Sequence, residues 1–230
     1  YIPNARPEDY VDDGCAGQAP VYGLALRFAR EAGLGHAVEV GGGAGEWSSL
    51  LLQQGLGLTL LDRAGPNLRN ATARLAAQPA LAGRWSVLEW DIDASPPPAL
   101  PQLPPVIAIA ADVVEHLLDP LALLSFVGGL LRSGAADVAV VSTPDRDAFY
   151  DWRYHRGPPT NPAHVREWSS AEFARLLTCQ GLPVAAMFEV EGTLLAVLGR
   201  VAAAHAEAMA EAVWASPEAS SLELRWRRLL

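Results

Sequence analysis

The stretch Glu39-Val40-Gly41-Gly42-Gly43-Ala44-Gly45 decides how the rest of this chain is read. A short apolar run, His36 to Val40, leads into it, and Glu46 to Gln54 carries a helical pattern out of it before Gly55 stops the helix. Strand, glycine turn and helix together form the opening unit of an open α/β sheet. Ligands in such sheets sit at the carboxyl ends of the strands, where the chain order reverses. Glycines let the backbone turn sharply there and let a ligand approach without meeting a Cβ. Alone, such a turn is weak evidence for a ligand.

Upstream, Gln18 to Gly33 reads as a helix with Val21, Leu24, Ala25, Phe28 and Ala29 on one face. Downstream, Leu58 to Leu61 is a buried strand ending at Asp62, Pro66 to Ala77 a helix with proline in its first turn, and Trp85 to Trp90 a strand ending at Asp91. Ser95 to Pro105 is a proline-rich surface loop, followed by a strand at Val106 to Ala111, a helix at Pro120 to Arg132 and a strand at Asp137 to Val141. A long polar connection, Ser142 to Trp168, leads to a serine-capped helix, Ser169 to Gln180. Val184 to Val190 and Thr193 to Leu198 predict a hairpin turning at Glu191-Gly192. Strands that alternate with helices and are apolar throughout belong to a sheet covered on both faces. The expectation is α/β: a mostly parallel, seven-stranded sheet, an antiparallel C-terminal hairpin, and helices on both faces. Residues 1–16 are expected to form an arm or lid, 17–200 the ligand-binding domain, and 201–230 a helical tail.

Composition narrows the function. A chain of 230 residues can bury one domain's core. Its net charge of −9 argues against general nucleic-acid binding, which needs the opposite balance. Cys15 and Cys179 stand in no metal or redox spacing, so a reducing, cytoplasmic setting is expected. No apolar run is long enough for a bilayer, so no membrane role is expected. The chain opens on Tyr1 rather than methionine, which leaves room for a larger polypeptide or a homo-oligomer.

The acidic neighbours of the glycine loop say what it holds. Asp62 ends the second strand about twenty residues on, where a carboxylate can accept both hydroxyls of a ribose. Asp91 ends the third strand, placed for an adenine amine. Three carboxylates at three successive strand ends are costly unless something polar binds there. A dinucleotide fingerprint needs a third glycine where this chain has Glu46, and a carboxylate at that helix start repels a pyrophosphate. S-adenosylmethionine carries no phosphate and has a cationic amino-acid end that suits Glu39.

Taken together, Glu39-x-Gly-x-Gly-x-Gly, Asp62, Asp91-Ile92 and Asp112-Val-Val-Glu-His116-Leu-Leu-Asp-Pro120 resemble the class I S-adenosylmethionine-dependent methyltransferases, a Rossmann-like family. Within them the chain is similar to the ubiquinone-pathway and natural-product small-molecule O-methyltransferases, over roughly Val21 to Arg200. The resemblance implies that Glu39, Gly41, Gly42 and Gly43 line the methionine end of the cofactor. It places Asp62 and Arg63 at the ribose, Asp91 and Ile92 at the adenine, and Asp112 and Val113 near the methyl group.

For a hydroxyl acceptor the protein must align the nucleophile and remove its proton, and histidine is the usual base near neutral pH. His36, at the far end of its strand, is expected to be structural, and His205 solvated. His116 follows the fourth strand beside the pocket. His164 lies in the loop after the fifth and is the stronger candidate base, since that loop needs no histidine to fold. Asp112, Glu115 and His116, with the later His164, also resemble the metal site of small-RNA 2′-O-methyltransferases. That likeness would imply Mg²⁺ or Mn²⁺ on oxygen and imidazole ligands, although Asp112 stands where that family has the longer Glu. Arg146, Arg153, Arg156 and Arg166, interleaved with aromatic residues up to Trp168, form a local positive segment in an acidic chain. Arg156, Arg166 and Trp168 are the candidates to hold an anionic or aromatic small-molecule acceptor. Nitrogen or carbon acceptors on a natural-product or sugar intermediate, an RNA 2′-hydroxyl, and a non-catalytic cofactor-binding domain of a larger assembly stay open as alternatives.

Overall fold

Five apolar runs, each too short for a helix and each set off by glycine, proline or a carboxylate, pair side by side as parallel strands. The computed structural model describes residues 18–63, 65–149, 157–214 and 226–230. In chain order, α1 (Ala19–Glu31) leads to β1 (His36–Val40), α2 (Glu46–Gln53), β2 (Gly57–Asp62), α3 (Pro66–Ala76) and β3 (Trp85–Glu89). Next come β4 (Val106–Ala110), a single 3₁₀ turn at Val114–His116, α4 (Pro120–Ser133), β5 (Ala136–Pro144) and α5 (Arg146–Phe149). The chain closes with α6 (Ser170–Cys179), β6 (Val184–Val190), β7 (Thr193–Gly199), α7 (Ala203–Trp214) and β8 (Trp226–Arg228).

The strand order is β3-β2-β1-β4-β5-β7-β6-β8. β1, β2, β3, β4 and β5 run parallel to their neighbours, and β7 enters antiparallel between β5 and β6. The order reverses between β1 and β4, so the crevice of this sheet opens at the carboxyl ends of those two strands. Alternate residues of each strand feed two cores. Ile107, Ile109, Val138 and Val140 join one with α1, α2, α3 and α7, and Ala108, Ala110, Ala139 and Val141 join the other with α4 and α6. Helices therefore cover both faces, as expected.

Two expectations are corrected. The sheet has eight strands rather than seven, and the tail is not helical throughout. Trp226, Arg227 and Arg228 pair antiparallel with Val190, Glu189 and Phe188, hiding the otherwise open edge of β6. The pairing is held by an aromatic cluster: Trp214 lies 5.2 Å from Phe188 and 5.3 Å from Trp226 between ring centres. In addition, β5 runs to Pro144 instead of stopping at Val141, because β7 pairs with its polar end, Ser142 to Leu195 and Thr143 to Leu194. The proposed arm at 1–16 lies outside the described residues.

α7 belongs to the same body as the sheet. Trp214 is buried and its indole N–H donates to the Pro20 carbonyl at 3.3 Å, tying α7 to the start of α1. Trp214→Ala removes this bond and opens a cavity beneath β8. It is expected to destabilise the fold by about 3–5 kcal/mol, read as a shift in the urea-unfolding midpoint. A change under about 1 kcal/mol would mean that the tail merely rests on the domain.

Candidate active site

The glycine loop leaves β1 at the crevice and is shaped by what it touches. Gly41 has φ +74°, and a Cβ there would lie 2.4 Å from Val113 Cγ2. A Cβ on Gly42 would meet Leu60 Cδ1 at 2.3 Å and Glu39 Oε2 at 2.9 Å. A side chain at Gly41 would be strained by the left-handed backbone as well as by its contact with Val113, and one at Gly42 would make Leu60 or Glu39 shift.

Glu39 lies beneath this loop and is fully buried. Tyr22 of α1 donates its hydroxyl to Oε1 at 2.6 Å, and Ser48 of α2 donates to Oε2. Burial raises the Glu39 carboxyl above its ordinary range, and the two hydroxyls oppose that rise. Glu39 therefore supports the loop from below while binding two helices together. Neither Tyr22 nor Ser48 was picked out from sequence; the signal was two serines, Ser48 and Ser49, on the buried face of α2.

Asp62 holds the loop from the side. Its Oδ2 accepts from Gly43 N–H at 3.0 Å and its Oδ1 from Arg63 N–H at 2.7 Å. Asp91 is exposed at the end of β3, with Oδ1 accepting from Asp93 N–H at 3.2 Å; Ile92 packs partly buried against the second core. Asp93, not singled out from sequence, accepts from Leu118 N–H at 3.1 Å and Asp119 N–H at 3.0 Å, joining the β3 exit to the β4 exit. Glu46 is turned towards Arg74 of α3 in an ion pair.

The exits of β4 and β5 form the other wall. Asp112 has φ +53°, uncommon for a residue with a side chain, and is locked by Ser142, whose Oγ donates to Oδ1 at 2.7 Å and accepts from Asp112 N–H at 3.1 Å. Val113 packs on Gly41. Glu115 is fully buried and accepts from Thr143 Oγ1 at 3.1 Å, while its Oε1 has no hydrogen-bond partner. Burial, with the negative charge of Asp112 second, pushes this carboxyl well above the ordinary range. The Glu115 carbonyl accepts from Val165 N–H at 2.7 Å and Arg166 N–H at 3.3 Å, which brings the segment after β5 back to the crevice.

That return brings the two candidate histidines together, with ring centres 4.9 Å apart and edge-on. His116 Nδ1 donates to the Ala163 carbonyl at 3.0 Å, which leaves Nε2 as its basic nitrogen. His164 is engaged at both nitrogens: Nδ1 with Glu167 Oε1 at 2.6 Å, and Nε2 with Asn161 Nδ2 at 2.9 Å. Asn161 Oδ1 accepts from Ala163 N–H, so Nδ2 donates and His164 carries its proton on Nδ1, facing Glu167. Glu115, His116 and His164 each offer a ligand atom within 4.8 Å of the others. His36 is structural as expected, bonded to Thr59 Oγ1 at 2.9 Å, with burial lowering its pKa. His205 is half-exposed against Phe28. Trp168 is buried, Arg166 is exposed, and Arg156 lies outside the described residues. Among the described residues no helix is long and apolar enough to cross a membrane.

The contact between Gly41 and Val113 makes a specific expectation. Gly41→Ala introduces left-handed strain of about 1–2 kcal/mol together with the steric clash, and should lower both the melting temperature and the affinity for S-adenosylmethionine measured by calorimetry. Adding Val113→Ala relieves the clash alone, so the double variant should recover part of the affinity but not the backbone strain. No recovery would show that Val113 is not the obstacle.

The comparisons agree with this fold. The model of the "Methyltransferase domain" family matches residues 23–186. Among solved structures, the methyltransferase domain of a bacterial CtHen1 is 19% identical with TM-score 0.57, covering 77% of this chain and 95% of that one. An O-methyltransferase from neocarzinostatin biosynthesis, NcsB1, solved with S-adenosylmethionine and a naphthoic acid, is 24% identical with TM-score 0.55, covering 80% and 59%. The glycopeptide N-methyltransferase MtfA, solved with sinefungin, is 16% identical with TM-score 0.55, covering 76% and 85%. No curated protein matches the chain. The chain belongs to the methyltransferase domain family and is an S-adenosylmethionine-dependent methyltransferase of the class I fold.

Proposed function

We propose that the chain methylates a hydroxyl of a small molecule, with His116 as the base. The observation that carries this is the convergence of His116 and His164 at the β4 and β5 exits, beside the crevice that the glycine loop borders. The cofactor fits the residues present. Gly41 and Gly42 bring no side chain to the crevice, Glu39 and Asp62 hold the loop, and the Asp62 and Asp91 carboxylates stand at the ends of the neighbouring strands. S-adenosylmethionine supplies a methyl group already activated by its sulfonium; the chain supplies alignment and a place for the acceptor's proton. His116 takes that proton on Nε2, its tautomer set by the Ala163 carbonyl. His164, fixed by Glu167 and Asn161, packs against the ring and keeps it in place.

His116→Ala is expected to reduce kcat for hydroxy-aromatic acceptors by roughly 10²–10⁴-fold while leaving S-adenosylmethionine affinity nearly unchanged. The loss should shrink for phenols of lower pKa, which need less help from a base. Turnover within about threefold of the parent chain would remove His116 from this role.

One observation favours a second reading, metal-assisted transfer to an oxygen. The Glu115 Oε1 is buried without a hydrogen-bond partner, 3.9 Å from His116 Nε2, and the only other ligand atoms gathered near it among the described residues belong to His116 and His164. These three residues would hold a Mg²⁺ or Mn²⁺, which would lower the pKa of an oxygen bound to it. Asp112 is bonded to Ser142 and stands outside this group. If the reading holds, Mn²⁺ binds with one-to-one stoichiometry by calorimetry, and both Glu115→Gln and His164→Ala abolish that binding. Full turnover after chelator treatment, with no Mn²⁺ uptake, would leave the metal-free reading standing alone.

A further inference from the structure

Helix α6 presents Glu172, Arg175 and Leu176 at i, i+3 and i+4, a single helix face. That face is one wall of a cleft of about 380 Å³, and Arg146, Arg166 and Trp168 contribute the other. The cleft therefore gathers three guanidinium groups in a chain whose net charge is −9.

The acids in it are already engaged. Glu172 accepts from Ser169 N–H at 3.0 Å and Ser169 Oγ at 3.2 Å, and pairs with Arg146 at 2.7 Å. Glu167 is buried on His164. Arg146 is further committed to Asp147 at 3.3 Å. Arg166 and Arg175 have no side-chain hydrogen bond or ion pair among the described residues, so two guanidinium forks face the cleft unneutralised. A guanidinium fork matches a carboxylate or a phosphate bidentately, and Leu176 gives the cleft an apolar side.

The cleft is also joined to the catalytic residues. Arg166 sits two residues from His164, its N–H is held by the Glu115 carbonyl, and its neighbour Glu167 fixes the His164 ring. One strip of backbone thus carries a histidine on the crevice and an arginine on the cleft.

We infer that this cleft is an anchoring site for the anionic group, carboxylate or phosphate, of an organic ligand, gripped by Arg166 and Arg175. That the ligand is the methyl acceptor rests on the reading above; the binding itself does not. The site widens the positive segment recognised from sequence by adding Arg175 from a different element and by excluding Arg146, which is spent on holding Glu172.

The test titrates the ¹⁵N-arginine-labelled chain with benzoate, phenyl phosphate and, as the uncharged comparator, phenol. Both anions are expected to move the Nε–H resonances assigned by their disappearance in Arg166→Ala and Arg175→Ala, and phenol is expected to leave them in place. The double variant should bind the anions roughly tenfold more weakly or worse, and Arg175→Lys should recover only part of the loss, because an ammonium lacks the fork. Tighter binding of benzoate assigns the site to carboxylates, and tighter binding of phenyl phosphate to phosphates. Phenol binding as tightly as the anions, or undiminished anion affinity in the double variant, overturns the inference. The readout needs no turnover, so a failed methyl-transfer assay leaves it intact, and its own failure leaves the methyl-transfer reading intact.

Discussion

A carboxylate buried under a glycine loop is the constraint on which this structure turns. An ionised carboxylate moved from water into a protein interior costs several kcal/mol unless hydrogen bonds replace its hydration. Glu39 receives those bonds from Tyr22 on α1 and Ser48 on α2, so its burial requires both helices to sit where they do. A Cβ on Gly42 would then meet that carboxylate as well as Leu60. Asp62, at the end of β2, holds Gly43 from the side. One buried carboxylate thus ties the floor of the glycine loop to two helices.

The opposite wall is built by the same device, polar groups at the ends of apolar strands. Ser142 and Thr143 close β5, and each serves a carboxylate from the β4 exit, Asp112 and Glu115 respectively. Both hydroxyls lie on the part of β5 paired with β7, so the antiparallel insertion fixes their positions. The Glu115 carbonyl then collects two N–H groups from the returning segment. A long polar connection would otherwise be free to lie anywhere on the surface; this capture delivers His164 to His116.

Much of the fold was legible in the sequence because most strands are largely apolar and are punctuated by glycines. Gly41, Asp62 and Asp91 could be placed at strand ends by spacing alone. The eighth strand could not, since Trp226 to Arg228 is too short to show a period and is held by a cluster with Trp214 and Phe188 from distant parts of the chain. The division of labour between the histidines was equally hidden. Sequence favoured His164 because its loop does not need it for folding, whereas the structure commits both of its nitrogens, to Glu167 and to Asn161. Glu46 offers a related lesson: its charge, read as a barrier to pyrophosphate, is shared with Arg74, so what it contributes at that position is bulk where a dinucleotide site needs a glycine.

Asp112 joins the two walls of the crevice. Its left-handed backbone is unfavourable for a residue with a Cβ, and such strain persists only when the surroundings over-determine it. Ser142 supplies two hydrogen bonds to that one residue, and Val113 next to it is wedged against Gly41. The turn after β4 therefore cannot relax without losing its contact with the glycine loop. A methyl transfer depends on alignment more than on acid–base strength, and a geometry error of about 1 Å can cost roughly a hundredfold in rate. A strained, doubly bonded turn between the glycine loop and the histidine pair meets that demand better than a relaxed loop would.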